Sequence, residues 1–160
     1  MQEPITINPN RISTDEAYLQ VAEVWSRRSK ANRLQVGAII VVGDQIISDG
    51  YNGMPAGWHD DTCEVWSENV SGVGPQWALL TKPELLHAES NAIAKLSKFG
   101  GRGANGGTLY CTDSPCPECA KLANQAGIKR VVFRRQYRLT DGIEMLQKLG
   151  ISVEQLAPTL

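Results

Sequence analysis

Residues 108–133 read TLYCTDSPCPECAKLANQAGIKRVVF. Thr108-Leu109-Tyr110-Cys111-Thr112 is a short strand-forming run and Arg130-Val131-Val132-Phe133 is a second. Between them a helix is expected at about 115–126, stopped by Gly127. Ser114 would cap that helix, and Pro115 suits its first turn, where a missing N–H costs nothing. Downstream the pattern repeats, with a helix at about 140–149 ending at Gly150 and a short strand near Ile151–Val153. Alternating strand and helix argues for parallel pairing through right-handed crossovers. Upstream lie a helix at about 87–98 and a glycine-rich turn at 100–107.

Further towards the N-terminus, Val36-Gly37-Ala38-Ile39-Ile40-Val41-Val42 is too apolar for a half-exposed strand and reads as a central one covered on both faces. Gly43-Asp44 turns it into an antiparallel partner, Gln45-Ile46-Ile47-Ser48. Residues 14–30 read as the first long helix, with Thr14 as cap, Asp15 and Glu16 at its positive end, and Tyr18, Val21, Ala22 and Trp25 on one face. Residues 50–86 read as one long irregular connection containing Gly50, Gly53, Pro55, Gly57, Gly72, Gly74 and Pro75 with Trp58, Trp66 and Trp77. A connection of that length usually carries function or an interface. The 160 residues therefore predict a single α/β domain, a three-layer α/β/α arrangement around a mixed sheet of about five strands.

Composition narrows the function. Sixteen Lys and Arg against 17 Asp and Glu give a formal net charge of −1, so no nucleic-acid partner is expected. No apolar run is long enough to suggest a membrane span. Met1-Gln2-Glu3-Pro4 lacks the basic-then-apolar pattern of a signal peptide, so a cytosolic location is expected. In that reducing compartment the four cysteines, Cys63, Cys111, Cys116 and Cys119, point to metal binding or chemistry rather than disulfides.

His87-Ala88-Glu89 opens one expected helix and Ser114-Pro115-Cys116-Pro117-Glu118-Cys119 opens the next, with 26 residues between Glu89 and Cys116. Cys116 and Cys119 are three apart, so both sulfurs can face one point at a helix start, where thiolate is favoured. With His87 they make three zinc ligands, leaving the fourth tetrahedral position for water, as in catalytic rather than closed structural sites. Glu89, beside the metal but not needed to bind it, is free to move protons. A purely structural zinc module would have no use for that carboxylate. The pair H-x-E and P-C-x-x-C is the signature of zinc-dependent nucleobase deaminases. In such a site the backbone around Ala88 and Cys116 would hold the polar edge of the base.

Around this motif, Val36-Gly37-Ala38-Ile39-Ile40-Val41, Asp49-Gly50-Tyr51-Asn52-Gly53-Met54-Pro55-Ala56-Gly57, His87-Ala88-Glu89-Ser90-Asn91-Ala92-Ile93 and the run from Cys119-Ala120-Lys121 to Phe133 resemble the deoxycytidylate (dCMP) deaminase family over most of the chain. The resemblance implies the cytidine deaminase fold and conversion of dCMP to dUMP, feeding dTMP synthesis. Two basic stretches, Arg27 to Arg33 and Arg134 to Arg138, could serve the phosphate. By resemblance Ser29, Arg33, Tyr137 and Arg138 carry over as phosphate contacts and Asn52 as a sugar contact. The resemblance also implies a homo-oligomer, expected to be a hexamer, activated by dCTP and inhibited by dTTP. The effector, with Mg2+, would lie at Asp49, Asn52 and Gly53. Some members hold a second zinc; here only His59, Cys63 and Cys111 remain, Cys63 reads as an ordinary loop residue, and one Zn2+ per chain is expected. The competing readings are a deaminase of another small substrate in the same fold (cytidine, guanine, a riboflavin precursor, a tRNA adenosine) and a non-catalytic zinc module.

Overall fold

The computed structural model describes residues 7–69, 76–101 and 103–158; Met1 to Pro4 and the turn residues Gly72, Gly74 and Pro75 lie outside them. Its elements are α1 (Thr14–Ser26), β1 (Gly37–Val42), β2 (Gln45–Tyr51), β3 (Glu64–Asn69), β4 (Gln76–Thr81), α2 (Ala88–Phe99), β5 (Thr108–Asp113), α3 (Pro117–Gln125), β6 (Arg130–Arg135), α4 (Asp141–Lys148) and β7 (Ser152–Gln155). Five strands form one mixed sheet in the order β2-β1-β5-β6-β7. β1 runs antiparallel to β2 and β5, while β5, β6 and β7 are parallel. The expected α/β class and five-stranded mixed sheet are what the chain forms.

All six residues of β1 are buried, as a strand sandwiched between helix layers requires. Alternation along the strands sends Ile39, Val41, Tyr110 and Val132 to one face, where Leu19 of α1 packs. Ala38, Ile40, Leu109, Cys111 and Val131 face the other way, against Ala88 and Ala92 of α2, Ala120 and Ala123 of α3, and Leu146 of α4. Small residues let these helices come close. At Gly50 a Cβ would lie 2.1 Å from the Ala88 carbonyl oxygen, so only glycine allows the first turn of α2 to rest on β2.

Three expectations need correction. First, α1 ends at Ser26 rather than 30, and Ser13, whose hydroxyl accepts the Glu16 N–H (3.1 Å), is its cap instead of Thr14. Its buried residues are Glu16, Leu19 and Ala22, whereas Val21 and Trp25 stay substantially exposed. The inward rotation follows from Arg134, which takes the Glu16 carboxylate through two nitrogens at 2.8 and 2.9 Å. Second, residues 50–86 are not one irregular connection. They extend β2 to Tyr51 and contain an antiparallel two-stranded sheet, β3 and β4, with Glu64 opposite Thr81 and Glu68 opposite Trp77. Third, α3 begins at Pro117 with Cys116 as its N-cap residue. Ser114 instead accepts the Tyr137 N–H (2.8 Å) and donates its own to the Arg135 carbonyl (2.9 Å), which clips the exit of β6 to the exit of β5.

Candidate active site

The carboxyl ends of β2, β5 and β6 meet at one edge of the sheet, beside the amino end of β1. Helices α2 and α3 both start there, and their N-cap residues are His87 and Cys116. Neither side chain caps its own helix. Instead the His87 Nδ1 lies 3.4 Å from the Cys116 Sγ and 3.5 Å from the Cys119 Sγ. Zn–S and Zn–N bonds of about 2.3 and 2.0–2.1 Å at a tetrahedral angle would put sulfur and nitrogen about 3.6 Å apart. The donor set therefore fits zinc in kind and in spacing. Among the described residues this trio is the group of His, Cys, Asp or Glu able to hold a metal ion.

Electrostatics agree with that reading. The hydrogen bond from Cys119 and the neighbouring His87 hold the Cys116 thiol well below the usual value, as a thiolate ligand needs. Cys119 shifts upward because its thiol donates to Cys116 and is buried; a cation between the sulfurs would take the place of that shared proton. Glu89, one residue into α2 and only 4% exposed, is pushed up to about 7 by burial. A carboxyl poised near neutrality can both accept and return a proton.

A cleft of about 790 Å³ opens over these residues. His87, Ala88, Glu89 and Cys116 line it, and Arg33, Asn52, Tyr137 and Arg138 also border it. The two basic stretches do converge, but not with every member. Side chains alternate along β6, so Arg134 points to the α1 face, buried against Glu16 and Glu23, while Arg135 borders the cleft and bonds Asp113 (2.9 Å). Arg27, Arg28 and Lys30 are exposed, and Lys30 pairs with Asp61. Ser29 is not among the cleft residues; its hydroxyl donates to the Asn52 carbonyl (2.8 Å).

The three proposed effector contacts are engaged within the chain. Asn52 is buried, its Oδ1 accepting the Val36 N–H and its Nδ2 donating to the Leu34 carbonyl, both at 2.8 Å. Asp49 accepts from Lys95 (2.7 Å) and from the Trp25 indole. Gly53 bridges to Leu86. Cys63 and Cys111 are buried and unpaired, and His59 is exposed beside Asp60. Sequence reasoning did not single out Glu64, Thr81, Asp113 or Arg135 as cleft residues, the last being named only within its basic stretch. Asp113, just before the motif, and Arg135, in the basic run, could have been found by counting strand alternation. Glu64 and Thr81 sit in the hairpin that was read as irregular.

Residues 12–135 match the family described as the cytidine and deoxycytidylate deaminase zinc-binding region. The chain belongs to this deaminase family. Relatives include the deoxycytidylate deaminase of Schizosaccharomyces pombe, 31% identical over 99% of this chain and 49% of that protein. Human deoxycytidylate deaminase is 41% identical over 74% of this chain and 62% of its own length. The chain thus spans about half the length of the yeast relative and less than two thirds of the human one. Among solved structures, the dCMP deaminase of cyanophage S-TIM5, crystallised with dCMP and dUMP, superposes with a TM-score of 0.79 at 41% identity, covering 94% of this chain and 100% of that one. His87, Cys116 and Cys119 and the neighbouring Glu89 all fall within the matched region.

Proposed function

We propose that this chain hydrolyses dCMP to dUMP and ammonia. The observation that carries the reading is one cleft bordered both by His87, Cys116 and Glu89 and by Arg33 and Arg138. The likeness to the cyanophage enzyme, whose crystals hold dCMP and dUMP, supports the same substrate. Zinc held by His87, Cys116 and Cys119 would supply a Lewis acid and a water of lowered pKa. Glu89 takes a proton from the attacking water and delivers it to N3 of the cytosine ring. As that proton moves the water oxygen bonds to C4; Glu89 then takes the proton of the new C4 hydroxyl and passes it to the exocyclic nitrogen, so that C4=O forms, the C4–N bond breaks and the nitrogen leaves as ammonia. The backbone at Ala88 orients the polar edge of the base, and Asn52 holds the β1 entry segment that forms the sugar-side wall.

Arg33, Arg138 and Tyr137, whose ring lies 5.7 Å beneath the Arg138 guanidinium, form the phosphate end. Arg33→Ala and Arg138→Ala should each weaken dCMP about tenfold to a hundredfold, the worth of a charge-assisted contact, while deoxycytidine turnover changes little. Equal losses on nucleotide and nucleoside would remove both residues from the phosphate end.

We further propose a cytosolic homo-oligomer of six copies that supplies dUMP for dTMP synthesis, is activated by dCTP with Mg2+ and is inhibited by dTTP. Support comes from exposed aromatic surface, Trp58 at 40%, Trp66 at 64% and Trp77 at 65%. Asp49 also precedes Gly50, on which the first turn of α2 rests, so an effector there would bear on His87 and Glu89. Light scattering and dCMP saturation curves with and without dCTP test this. A shift of about 5- to 150-fold in apparent affinity is expected, and a monomer with effector-blind kinetics would refute it.

A further inference from the structure

The base of the β3–β4 hairpin holds Arg33 at both ends. Glu64, the first residue of β3, is buried at 8% exposure. Its Oε1 accepts the backbone N–H groups of Asn32 (2.9 Å) and Arg33 (3.1 Å), and its Oε2 accepts from the Asn32 Nδ2 (3.3 Å). Thr81, directly opposite on β4, accepts from the Arg33 Nη1 at 3.2 Å. Residues 29–36 contain no helix or strand, so the direction of Arg33 depends on such side-chain bonds. All three partners of Glu64 are amide N–H groups rather than a cation, a costly way to bury a carboxylate unless the turn it fixes matters.

We propose that Glu64 is a positioning residue for substrate binding: with Thr81 it presents the Arg33 guanidinium to the nucleotide phosphate before substrate arrives. This rests on the dCMP reading above. Pre-set geometry lowers the ordering cost of binding, and displacement of a charged contact by an ångström loses much of its worth. Glu64 acts through Arg33, so its effect belongs in KM and disappears when Arg33 is absent.

The test is a double-mutant cycle with dCMP as substrate, with zinc content and Tm recorded for every variant. Glu64→Ala should raise KM about tenfold with kcat within about twofold, and add less than about twofold in an Arg33→Ala background. Glu64→Gln, which keeps a carbonyl for the two backbone N–H groups, should stay within about threefold of wild type. Thr81→Val should raise KM about threefold, again only when Arg33 is present. An unchanged KM in folded Glu64→Ala, a main effect on kcat, or losses that multiply in the double variant would overturn the proposal. If Glu64→Ala does not fold, the Thr81→Val and Arg33→Ala cycle decides, and full additivity there overturns it equally. Absence of dCMP turnover in the wild type would instead refute the underlying reading.

Discussion

His87 and Cys116 occupy helix N-cap positions, where Ser, Thr, Asp or Asn would ordinarily accept a helix N–H. Giving up that bond costs about 1 kcal/mol per helix, and metal binding offsets it only when the site is filled. Chelation should therefore lower Tm as well as abolish activity, with both restored by added zinc; an unchanged Tm after complete zinc removal would contradict the structural part of this argument. Substitutions separate the two roles at the site. Cys116→Ala or Cys119→Ala should lower the zinc content itself. Glu89→Gln should keep zinc and fold yet lose about 10²- to 10⁴-fold in kcat, because one positioned acid–base group is worth about that much. Metal analysis beside steady-state kinetics reads both, and wild-type turnover in Glu89→Gln would remove it from proton transfer.

At the scale of elements, α1 is fastened to the sheet by ions rather than by its apolar face alone. Arg134 on β6 takes Glu16 and Glu23, and Arg130 takes Asp15 and Glu154. The Arg134 guanidinium holds the Glu16 carboxyl below the usual range, and Arg130 does the same for Asp15. A lowered folded-state pKa means stability that is complete above the ordinary carboxylate value of about 4 and lost as pH falls through the depressed one. Glu16→Gln should cost about 3 kcal/mol at pH 7, the low end for breaking a buried pair because Glu23 remains, and flatten the acid limb of the stability curve. Urea unfolding at pH 7 and at pH 3 measures it; an equal deficit at both would deny the ionic origin.

The same pair shows what could be read beforehand. The β5–α3–β6 unit was legible because each strand centres on three consecutive apolar residues, Leu109 to Cys111 and Val131 to Phe133, and Gly127 takes a φ of 83° just beyond the helix. His87, Glu89, Cys116 and Cys119 were legible because their spacing has one chemical use. Arg134 and Arg135 looked like one basic cluster, and only strand alternation, which needs the exact register of β6, sends one to α1 and the other to the cleft. The hairpin was hidden because Val65, Trp66, Trp77 and Leu80 are all exposed, so neither of its faces carries a clean apolar pattern.

Taken as a whole, the chain brings two sets of residues to one sheet edge: His87, Cys116 and Cys119 at the starts of two helices, and Arg33 and Arg138, from the loops before β1 and after β6, at the same cleft. Either half alone would fit other members of the fold. Their combination is what argues for a nucleoside monophosphate rather than a free base or nucleoside. The most direct measurement is the deamination rate of zinc-loaded protein on dCMP, deoxycytidine, CMP and dCTP, followed by loss of aminopyrimidine absorbance with dUMP identified as product. The account predicts that dCMP gives the highest kcat/KM and that deoxycytidine falls at least about tenfold below it, the value of one lost phosphate contact. Zinc-loaded protein that leaves dCMP intact, or that turns over deoxycytidine equally well, would contradict it.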